Sequence, residues 1–387
     1  MLSNMLIRFP MELQEVLGPL AAEARRARLP LYAVGGCVRD WMLGAPTKDL
    51  DFVTESDPLP LIRFCSRKWG GTTERFDSFK TVRCNISSGL RLDFVRARSE
   101  RYPQPAALPV VRAAGLSEDL ARRDFSVNAM AVAVRSADSG ELIDPQRGWG
   151  DLKRRLLRVL HPLSFRDDPT RMFRAARYAC RYRLRLEAGT ESLRRDALKA
   201  GYALRLSRER ARNELVRILE ERDPVCALRT IKAWKLSDLL HERLAWPKNI
   251  AEGGGSWERL GMIALHLQGS SRASEASEDG LGFVRSLRLE RQISRPIEEA
   301  LRVCARRAAP RERPDPLTRR LIVLMRARLS PAALQPVLIS GRDLQGLGLK
   351  PGPRYQRILD RAARAQWRGK FADRPQALRW LKVNFPA

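Results

Sequence analysis

The sequence predicts an α+β protein, with a mixed β-sheet in the N-terminal part and helices in the remainder. Residues 31–34 form a short apolar run, and residues 50–53 are apolar apart from Asp51; both segments are typical of strands. Residues 80–86 and 90–96 alternate between polar and apolar side chains, as the two strands of a hairpin do. From residue 151 onward, apolar side chains follow helical spacing. Sheet and helices therefore occupy separate parts of the chain, which is the pattern of an α+β fold.

The first predicted strand ends at a glycine turn that opens a short helix. Gly35 and Gly36 follow the strand, and residues 38–43 have the apolar spacing of a helix. Glycine lets backbone N–H groups approach an anion closely, and a helix N-terminus favours negative charge. Arg39 can add a direct contact to a phosphate. The turn is therefore predicted to bind phosphate.

The next strand carries two carboxylates. Asp49 and Asp51 are two residues apart, so a strand points both side chains to one face. Such a pair repels itself unless a cation lies between the two, and hard oxygen ligands favour Mg²⁺. Asp93, on the hairpin, is a candidate third acid of the kind found in two-metal sites. The alternative is that these are ordinary turn and strand residues, but with the glycine turn they favour a nucleotidyl-transfer site.

Two further segments complete the predicted N-terminal domain. Residues 99–117 contain three prolines and several small residues, which predicts a long loop beside the sheet, of the kind that often moves during function. Residues 132–134 and 142–143 predict another hairpin, with Ser139-Gly140 in its turn. The domain is expected to close near residue 150.

A charged cluster lies between those two segments. Arg122, Arg123 and Asp124 are consecutive in a segment with helical character. A surface salt bridge is the simpler interpretation. Beside a triphosphate site, however, Arg123 is suited to bind a phosphate or ribose, and Asp124 can orient its guanidinium.

A helix in the second part of the chain carries the remaining candidate residues. Asp167 or Asp168 is the predicted N-terminal cap, and Arg171 lies three residues after Asp168, away from the apolar stripe. A plain helical ion pair is the alternative. Arg174 continues this face approximately, whereas Arg177 has turned about half-way round the helix and is the weaker candidate.

The charge of the chain points to a polyanionic partner. Lysine and arginine total 72 against 44 acidic residues, a net charge of +28. Nucleic acid is the most common partner of so basic a protein. The three histidines and six scattered cysteines lack the spacing of a zinc site. No apolar run of transmembrane length and no secretory signal pattern is present, which predicts a cytoplasmic location and no membrane partner.

Four motifs occur together in a characteristic order. They are GGCVRDWMLG followed by DLD, then RRDFSVNAMA, IDPQRGWGDL and DDPTRMFRAARY. In this combination the chain resembles the class II tRNA nucleotidyltransferases, within the family of bacterial CCA-adding enzymes and poly(A) polymerases. LSRERARNEL resembles the next helical motif of that family, and SGRDLQGLGLKPGP resembles tail segments of some members.

The resemblance implies a division into four parts. The expected parts are a nucleotidyltransferase head with a polymerase-β-like palm (1–150), a helical neck with templating residues (151–225), a helical body (226–310) and an RNA-binding tail (311–387). The chain has Asp167-Asp168 where the family commonly has Glu-Asp. No phosphohydrolase-type His/Asp set follows the neck, so no accessory hydrolase is expected.

The resemblance also implies roles for the candidate residues. Asp49 and Asp51 match the metal ligands, and Asp93 remains the candidate third acid. The other positions match nucleotide contacts: Gly35, Gly36, Arg39 and Arg123 for the triphosphate and sugar, Asp168 and Arg171 for the edge of the base, and Arg174 and Arg177 for further contacts. An Asp/Arg pair supplies both acceptors and donors, so it can read C or A without a nucleic-acid template.

The implied reaction is an in-line attack by an RNA 3′-hydroxyl on the α-phosphate of CTP or ATP, with Mg²⁺ as cofactor. The basic helical half is expected to hold the acceptor and T-arm of tRNA through phosphates, and no protein partner is implied. Three alternatives within the class stay open: addition of CC only, addition of A only, or poly(A) synthesis. A non-catalytic RNA-binding relative is the alternative from another class.

Overall fold

The computed structural model describes residues 5–76, 81–270, 276–306, 309–310, 313–325, 335–349 and 351–386. The chain divides into two compact units, Met1–Leu206 and Ser207–Ala387. The first unit contains the sheet, and the second is helical. The finer division predicted at residues 225 and 310 stays a prediction.

The first unit combines strands with eight helices among its described residues. Its strands are β1 (Leu6–Arg8), β2 (Leu31–Val34), β3 (Asp49–Thr54), β4 (Thr72–Phe76), β5 (Thr81–Asn85), β6 (Arg91–Arg96), β7 (Arg98–Arg101), β8 (Val110–Ala113), β9 (Ala131–Ala133), β10 (Ser139–Ile143), β11 (Leu156–Leu157) and β12 (Arg185–Leu186). Its helices are α1 (Met11–Arg26), α2 (Gly36–Met42), α3 (Leu59–Trp69), α4 (Leu116–Ala121), α5 (Gly148–Lys153), α6 (Ser164–Asp167), α7 (Thr170–Tyr182) and α8 (Ala188–Lys199).

A mixed sheet of eight strands organises this unit, in the order β1-β10-β9-β2-β3-β6-β5-β4. Strands β3 and β6 pair in parallel, with Asp51 opposite Asp93 and Asp49 opposite Arg91. Phe52 and Phe94 stack beneath them with ring centroids 5.2 Å apart, and both are fully buried. Because side chains alternate along a strand, the buried phenylalanines fix the acids on the opposite face.

The structure confirms the α+β class and extends the sheet beyond its predicted strands. The predicted strands are present, although residue 80 lies outside the described residues. The sequence missed β1 and β4, which are the two edges of the sheet. It also placed Ser139-Gly140 in a turn, whereas both lie in β10, where a Cβ on Gly140 would lie 2.1 Å from the carbonyl oxygen of Ala133. The glycine there permits close strand packing rather than a turn.

The prediction of a loop at residues 99–117 was wrong. Strands β7 and β8 pair antiparallel from Arg98–Ala113 to Arg101–Val110, and α4 begins at Leu116. The three prolines lie in the connection between the two strands, where a missing N–H breaks no ladder bond. A second departure is the pair β11–β12, a short parallel sheet within the region predicted to be helical.

The second unit consists of helices and short 3-10 turns in its described residues. They are α9 (Arg208–Glu220), α10 (Val225–Ala233), α11 (Ser256–Ser270), α12 (Ala276–Ser286), α13 (Arg291–Arg306), α14 (Pro316–Met325), α15 (Gly341–Gly346), α16 (Pro353–Trp367) and α17 (Arg374–Asn384). Composition predicts connections at residues 269–278, rich in Ser and Ala, and at the Pro-rich residues 308–316. Both segments lie partly outside the described residues. Among the described helices, none has both the length and the apolar character to cross a membrane.

Candidate active site

A cavity of about 650 Å³ opens in the first unit, between strands β3 and β6 of the sheet and helix α7. Its walls come from segments far apart in sequence. All eleven candidate residues line it: Gly35, Gly36, Arg39, Asp49, Asp51, Asp93, Arg123, Asp168, Arg171, Arg174 and Arg177. The structure therefore brings the whole predicted set to one place, which no local pattern requires.

The glycine turn is shaped by a close neighbour. Gly35 has φ of +74°, and a Cβ there would lie 2.6 Å from Nη1 of Arg123. Its N–H donates to the carbonyl oxygen of Met130 at 3.0 Å. Glycine is thus needed at this position for its left-handed backbone and for room beside Arg123. Gly36 begins α2 and lines the cavity.

Arg39 connects three elements of the unit. It is 4% exposed, and its Nε and Nη2 donate to Oδ1 of Asp40 at 2.9 and 2.8 Å. It also donates to Asn128 and to the hydroxyl of Tyr182, with its guanidinium 4.0 Å from the centre of the Tyr182 ring. This arginine therefore ties α2 to Asn128 and to the C-terminal end of α7, and its predicted phosphate contact stays a prediction.

Three carboxylates form the sheet side of the cavity. Arg91 donates to the exposed Asp49, with Nη2 2.6 Å from Oδ2, and Arg83 binds Asp93 through two contacts of 2.8 Å. Asp51 lies between them on β3. Burial raises the pKa of Asp51 to about 6, with Asp93 and Asp49 adding to the rise and Arg123 opposing it. No sequence pattern indicated that Arg83 and Arg91 are the partners of these acids.

The carboxylates suit a cation that brings other ligands with it. Among the described residues no group of three or more His, Cys, Asp or Glu side chains could hold a metal by itself. Mg²⁺ is commonly held through one or two carboxylates, with water and substrate phosphates completing the shell. Burial causes most of the rise in the pKa of Asp51, and a divalent cation would compensate the part that the charges of Asp93 and Asp49 add. Asp49 and Asp51 therefore fit such an ion.

The Arg122–Asp124 cluster is arranged differently from the expectation. Asp119, fully buried, accepts from Nη2 of Arg123 at 3.0 Å and also binds Arg122. Asp124 instead accepts from Nε of Arg174 at 2.8 Å. Burial opposes ionisation of Asp124, but Arg174 outweighs it and the pKa of that carboxyl falls to about 2. Asp119 therefore orients Arg123, and the expectation that Asp124 does so was wrong.

Asp168 and Arg171 lie at the start of α7. Oδ1 of Asp168 accepts from the N–H and hydroxyl of Thr170 at 3.0 and 2.6 Å, which fixes the carboxylate at the helix start. Arg171 is 4% exposed, and its guanidinium binds Ser164, His161 and the carbonyl oxygen of Arg122.

Arginine and tyrosine side chains alternate along the rest of this wall. The guanidiniums of Arg177 and Arg174 lie 4.6 and 5.4 Å from the centre of the Tyr178 ring. Nη2 of Arg174 donates to the Tyr178 hydroxyl at 3.0 Å. The guanidinium of Arg39 stacks on the ring of Tyr182 in the same way. Spacing of four residues between the tyrosines was the signal that could have revealed this stack, and Arg177 reaches the cavity although its angular position on the helix made it a weak candidate.

The β7–β8 hairpin supplies two residues that the sequence did not indicate. Tyr102 lines the cavity and donates to Oε2 of Glu100 at 2.9 Å. Oε1 of Glu100 accepts from Arg122 at 2.8 Å. Since the carbonyl oxygen of Arg122 binds Arg171, this network links the hairpin to α7.

Known proteins resemble the chain over most of its length. The model of the poly A polymerase head domain matches residues 31–158. A protein of Halalkalibacterium halodurans named A-adding tRNA nucleotidyltransferase is 32% identical over 97% of this chain and 92% of its own length. The CC-adding tRNA nucleotidyltransferase of Deinococcus radiodurans is 31% identical, covering 85% and 82%. The Thermotoga maritima CCA-adding enzyme, solved complexed with tRNA_CCA, has a TM-score of 0.58 and 26% identity over 96% of this chain and 95% of that chain.

Proposed function

The chain belongs to the class II tRNA nucleotidyltransferase family, and from that membership we propose that it transfers C, A or both from CTP and ATP to the 3′ end of tRNA. The observation that carries the proposal is the single cavity in which two strand carboxylates face an arginine-rich helix. Members of this family use a divalent metal, and a catalytically inactive relative would not require this arrangement of Asp49 and Asp51.

The sheet side of the cavity is the proposed site of chemistry. Asp49 and Asp51 would hold Mg²⁺, and Asp93 extends the negative edge beside them. Bound there, the cation supplies charge neutralisation for the α-phosphate and the departing pyrophosphate. Asp49 and Asp51 would hold that ion at the site of the α-phosphate, which the 3′-hydroxyl of the RNA attacks in line as pyrophosphate leaves.

Arginines hold the triphosphate and sugar in this proposal. Arg123 is prepared for an anion, because Asp119 fixes one end of its guanidinium while its buried Nε has no partner among the described residues. Gly35 leaves the space in which that guanidinium lies. Arg174 and Arg177 extend the positive wall along α7. Their stacking on Tyr178 limits the number of positions they adopt before the nucleotide binds.

Base choice is assigned to Asp168 and Arg171. C and A both present an exocyclic amino donor next to a ring-nitrogen acceptor on their pairing edge, whereas U and G present a carbonyl at that place. A carboxylate beside a guanidinium complements the first pattern and opposes the second. Both side chains line the cavity that contains the carboxylates, so a base read by them would lie beside the reacting phosphate.

The RNA is proposed to bind through its phosphates. The net charge of +28 supports binding of a structured RNA without sequence readout. The expected contacts are with the acceptor and T-arm, made by the helical part of the chain. We place the protein in the cytoplasm, where tRNA and both nucleotides are available.

Addition of A alone is the second candidate. The protein of Halalkalibacterium halodurans, which this chain matches over 92% of its length, carries the A-adding name. The pairing edges of C and A share the donor and acceptor that Asp168 and Arg171 complement, so these two side chains allow either product.

The deciding experiment offers purified protein three RNAs: tRNA lacking its CCA end, tRNA ending in CC, and an unstructured primer. CTP and ATP are supplied singly and together, and products are read at single-nucleotide resolution. Full CCA synthesis on the first RNA supports the broader function, and extension of the second RNA alone supports A addition. Long tails on the primer would instead show a poly(A) polymerase. No extension of any RNA at any tested divalent-metal concentration would contradict the proposal.

A further inference from the structure

The guanidinium of Arg171 is held by groups outside its own helix. Nη1 donates to Oγ of Ser164 at 2.6 Å and lies 3.3 Å from Nε2 of His161. Nη2 donates to the carbonyl oxygen of Arg122 at 2.8 Å. Ser164 is fully buried and Arg171 nearly so. An arginine with several rotatable bonds is thus fixed in one orientation before any nucleotide arrives.

The contact with His161 defines the protonation of the imidazole. Arginine has only donors, so Nε2 of His161 must be the acceptor and the ring proton must lie on Nδ1. Burial, followed by the charge of Arg171, lowers the pKa of His161, which keeps the ring neutral. The histidine is therefore present in the form that accepts a hydrogen bond.

These three contacts determine which part of the guanidinium faces the cavity. They use both N–H groups of Nη1 and one of Nη2. Within the part of the chain that the structure describes, the Nε–H and the second Nη2–H are left for a ligand. Nε and Nη2 share the edge of the guanidinium that does not include Nη1, and N–H groups on that edge form a fork for adjacent acceptors.

The segment that supplies the acceptors also positions Asp168. The N–H of Ser164 donates to the carbonyl oxygen of His161 at 3.1 Å, and the N–H of Asp168 donates to that of Ser164 at 3.2 Å. The same short segment therefore holds Arg171, the donor of the proposed base-reading pair, and carries Asp168, the acceptor of that pair. A change in the contacts of Arg171 would alter its position relative to Asp168.

We propose that His161 and Ser164 are positioning residues that set nucleotide choice, by presenting the Nε/Nη2 edge of Arg171 to the pairing edge of the incoming base. This inference rests on the proposed function of the cavity and identifies what makes its base reader selective. Neither residue needs to touch the nucleotide. Their contribution is the orientation of Arg171, so their loss affects selectivity more than it affects binding of the RNA.

The test uses variants that remove or restore the acceptors. Ser164→Ala and His161→Leu remove them, whereas Ser164→Thr keeps the hydroxyl and His161→Gln offers an amide oxygen near the position of Nε2. Ser126→Ala is the matched control, because fully buried Ser126 also makes a 2.6 Å hydrogen bond, to Asp151, outside the cavity. Circular dichroism and thermal unfolding establish which variants fold.

Two readouts are taken for each folded variant: kcat/KM for ATP, CTP, GTP and UTP on a tRNA acceptor, and equilibrium binding of the same nucleotides. We expect Ser164→Ala and His161→Leu to reduce discrimination between accepted and rejected nucleotides by about tenfold, the effect of one lost hydrogen bond to a charged group. Ser164→Thr and His161→Gln should recover at least half of it on a logarithmic scale. RNA affinity should stay within about twofold.

Discrimination equal to that of the wild type in Ser164→Ala and His161→Leu would overturn the proposal. An equal loss of discrimination in Ser126→Ala would also overturn it, because the loss would then come from a general structural change and not from the orientation of Arg171. If the wild type transfers no nucleotide, the proposed function fails on its own. The binding ratios among the four nucleotides then still decide whether His161 and Ser164 control the selectivity of the cavity.

Discussion

The two walls of the cavity hold their charges in opposite ways. The sheet wall is defined by Asp49, Asp51 and Asp93. There the side chain of Asp49 is 59% exposed, and that of its partner Arg91 is 52% exposed. On the helix wall, defined by Arg171, Arg174 and Arg177, the first arginine is 4% exposed and held by three contacts. An exposed ion pair exchanges partners at little cost, whereas a buried group held by several hydrogen bonds does not.

This difference matches two different tasks. A cation and a triphosphate must enter and leave the sheet wall in every cycle, so a carboxylate with a weakly held partner, as Asp49 has in Arg91, is an advantage there. Choice between bases depends on fixed donor and acceptor positions, so an arginine held in place before binding is an advantage on the helix wall. The predictions below test whether the walls differ in this way, beginning with the largest effect.

Asp51→Asn should reduce kcat by at least about a thousandfold, because a divalent cation at such a site supplies several kcal/mol of transition-state stabilisation. Nucleotide incorporation in single-turnover reactions measures the loss, and a gel-shift assay should show unchanged tRNA binding. Asp57→Asn is the control, since Asp57 is an exposed acid that only caps Leu59 after β3. Activity near that of the wild type in Asp51→Asn would remove the metal assignment from the sheet wall.

Arg174→Met should lower the free energy of unfolding of the first unit by about 2–4 kcal/mol, because it leaves the buried carboxylate of Asp124 without its cation. Thermal and urea unfolding measure the change. Adding Asp124→Asn to this variant should recover much of the stability. Arg154→Met is the control: its partner Asp151 is equally buried but keeps Arg158 and Ser126. Equal losses in the two single variants would contradict a special role of the helix wall.

The sheet wall should show the reverse behaviour, with stability gained when a charge is removed. The folded pKa of Asp51 is about 6, above the unfolded value of about 4. Folded protein therefore retains a proton that the unfolded chain loses between these values, and stability falls as pH rises through that window. Without metal, Asp51→Asn should be more stable than the wild type by about 1–2 kcal/mol at pH 7.5 and by less at pH 5.

Thermal unfolding at the two pH values, with and without Mg²⁺, measures this gain. Added Mg²⁺ should narrow the difference at pH 7.5, because it relieves the repulsion in the wild type only. A gain that is independent of pH would show that packing of the amide, and not loss of the carboxylate charge, causes it.

The same contrast explains what could be predicted from the sequence. Asp49, Asp51 and Asp93 follow from strand alternation, which is a local rule, and the structure places them as expected. The edge strands β1 and β4 and the β7–β8 hairpin were missed because strands of three to five partly exposed residues are too short to show an alternating apolar pattern. Their positions depend on the strands beside them, which a sequence pattern does not reveal.

The helix wall depends on contacts between distant segments. Residue spacing identifies Asp168 and Arg171 as neighbours, but Ser164, His161 and the carbonyl of Arg122 meet Arg171 only after folding. The exchange of partners between Asp119 and Asp124 has the same origin, since acids close in sequence to Arg123 are equally plausible until the fold selects one. Resemblance to a family predicted the role of α7, and the structure supplied the contacts that hold Arg171.

The smallest expected effect tests how loosely the sheet wall holds its charges. Arg91→Met removes the partner of Asp49, and since that pair is exposed, stability should change by less than about 0.5 kcal/mol. Arg91 also competes with a cation for the same carboxylate, so the Mg²⁺ concentration for half-maximal activity should fall about two- to threefold. Arg96→Met is the control, because it removes an equal charge from β6. In the described part of the chain, the side chain of Arg96 donates a hydrogen bond only to the carbonyl oxygen of Glu55. If both variants shift the Mg²⁺ dependence equally, the general field of the strand is responsible; if neither shifts it, Arg91 does not compete for Asp49 and the sheet wall is as rigid as the helix wall.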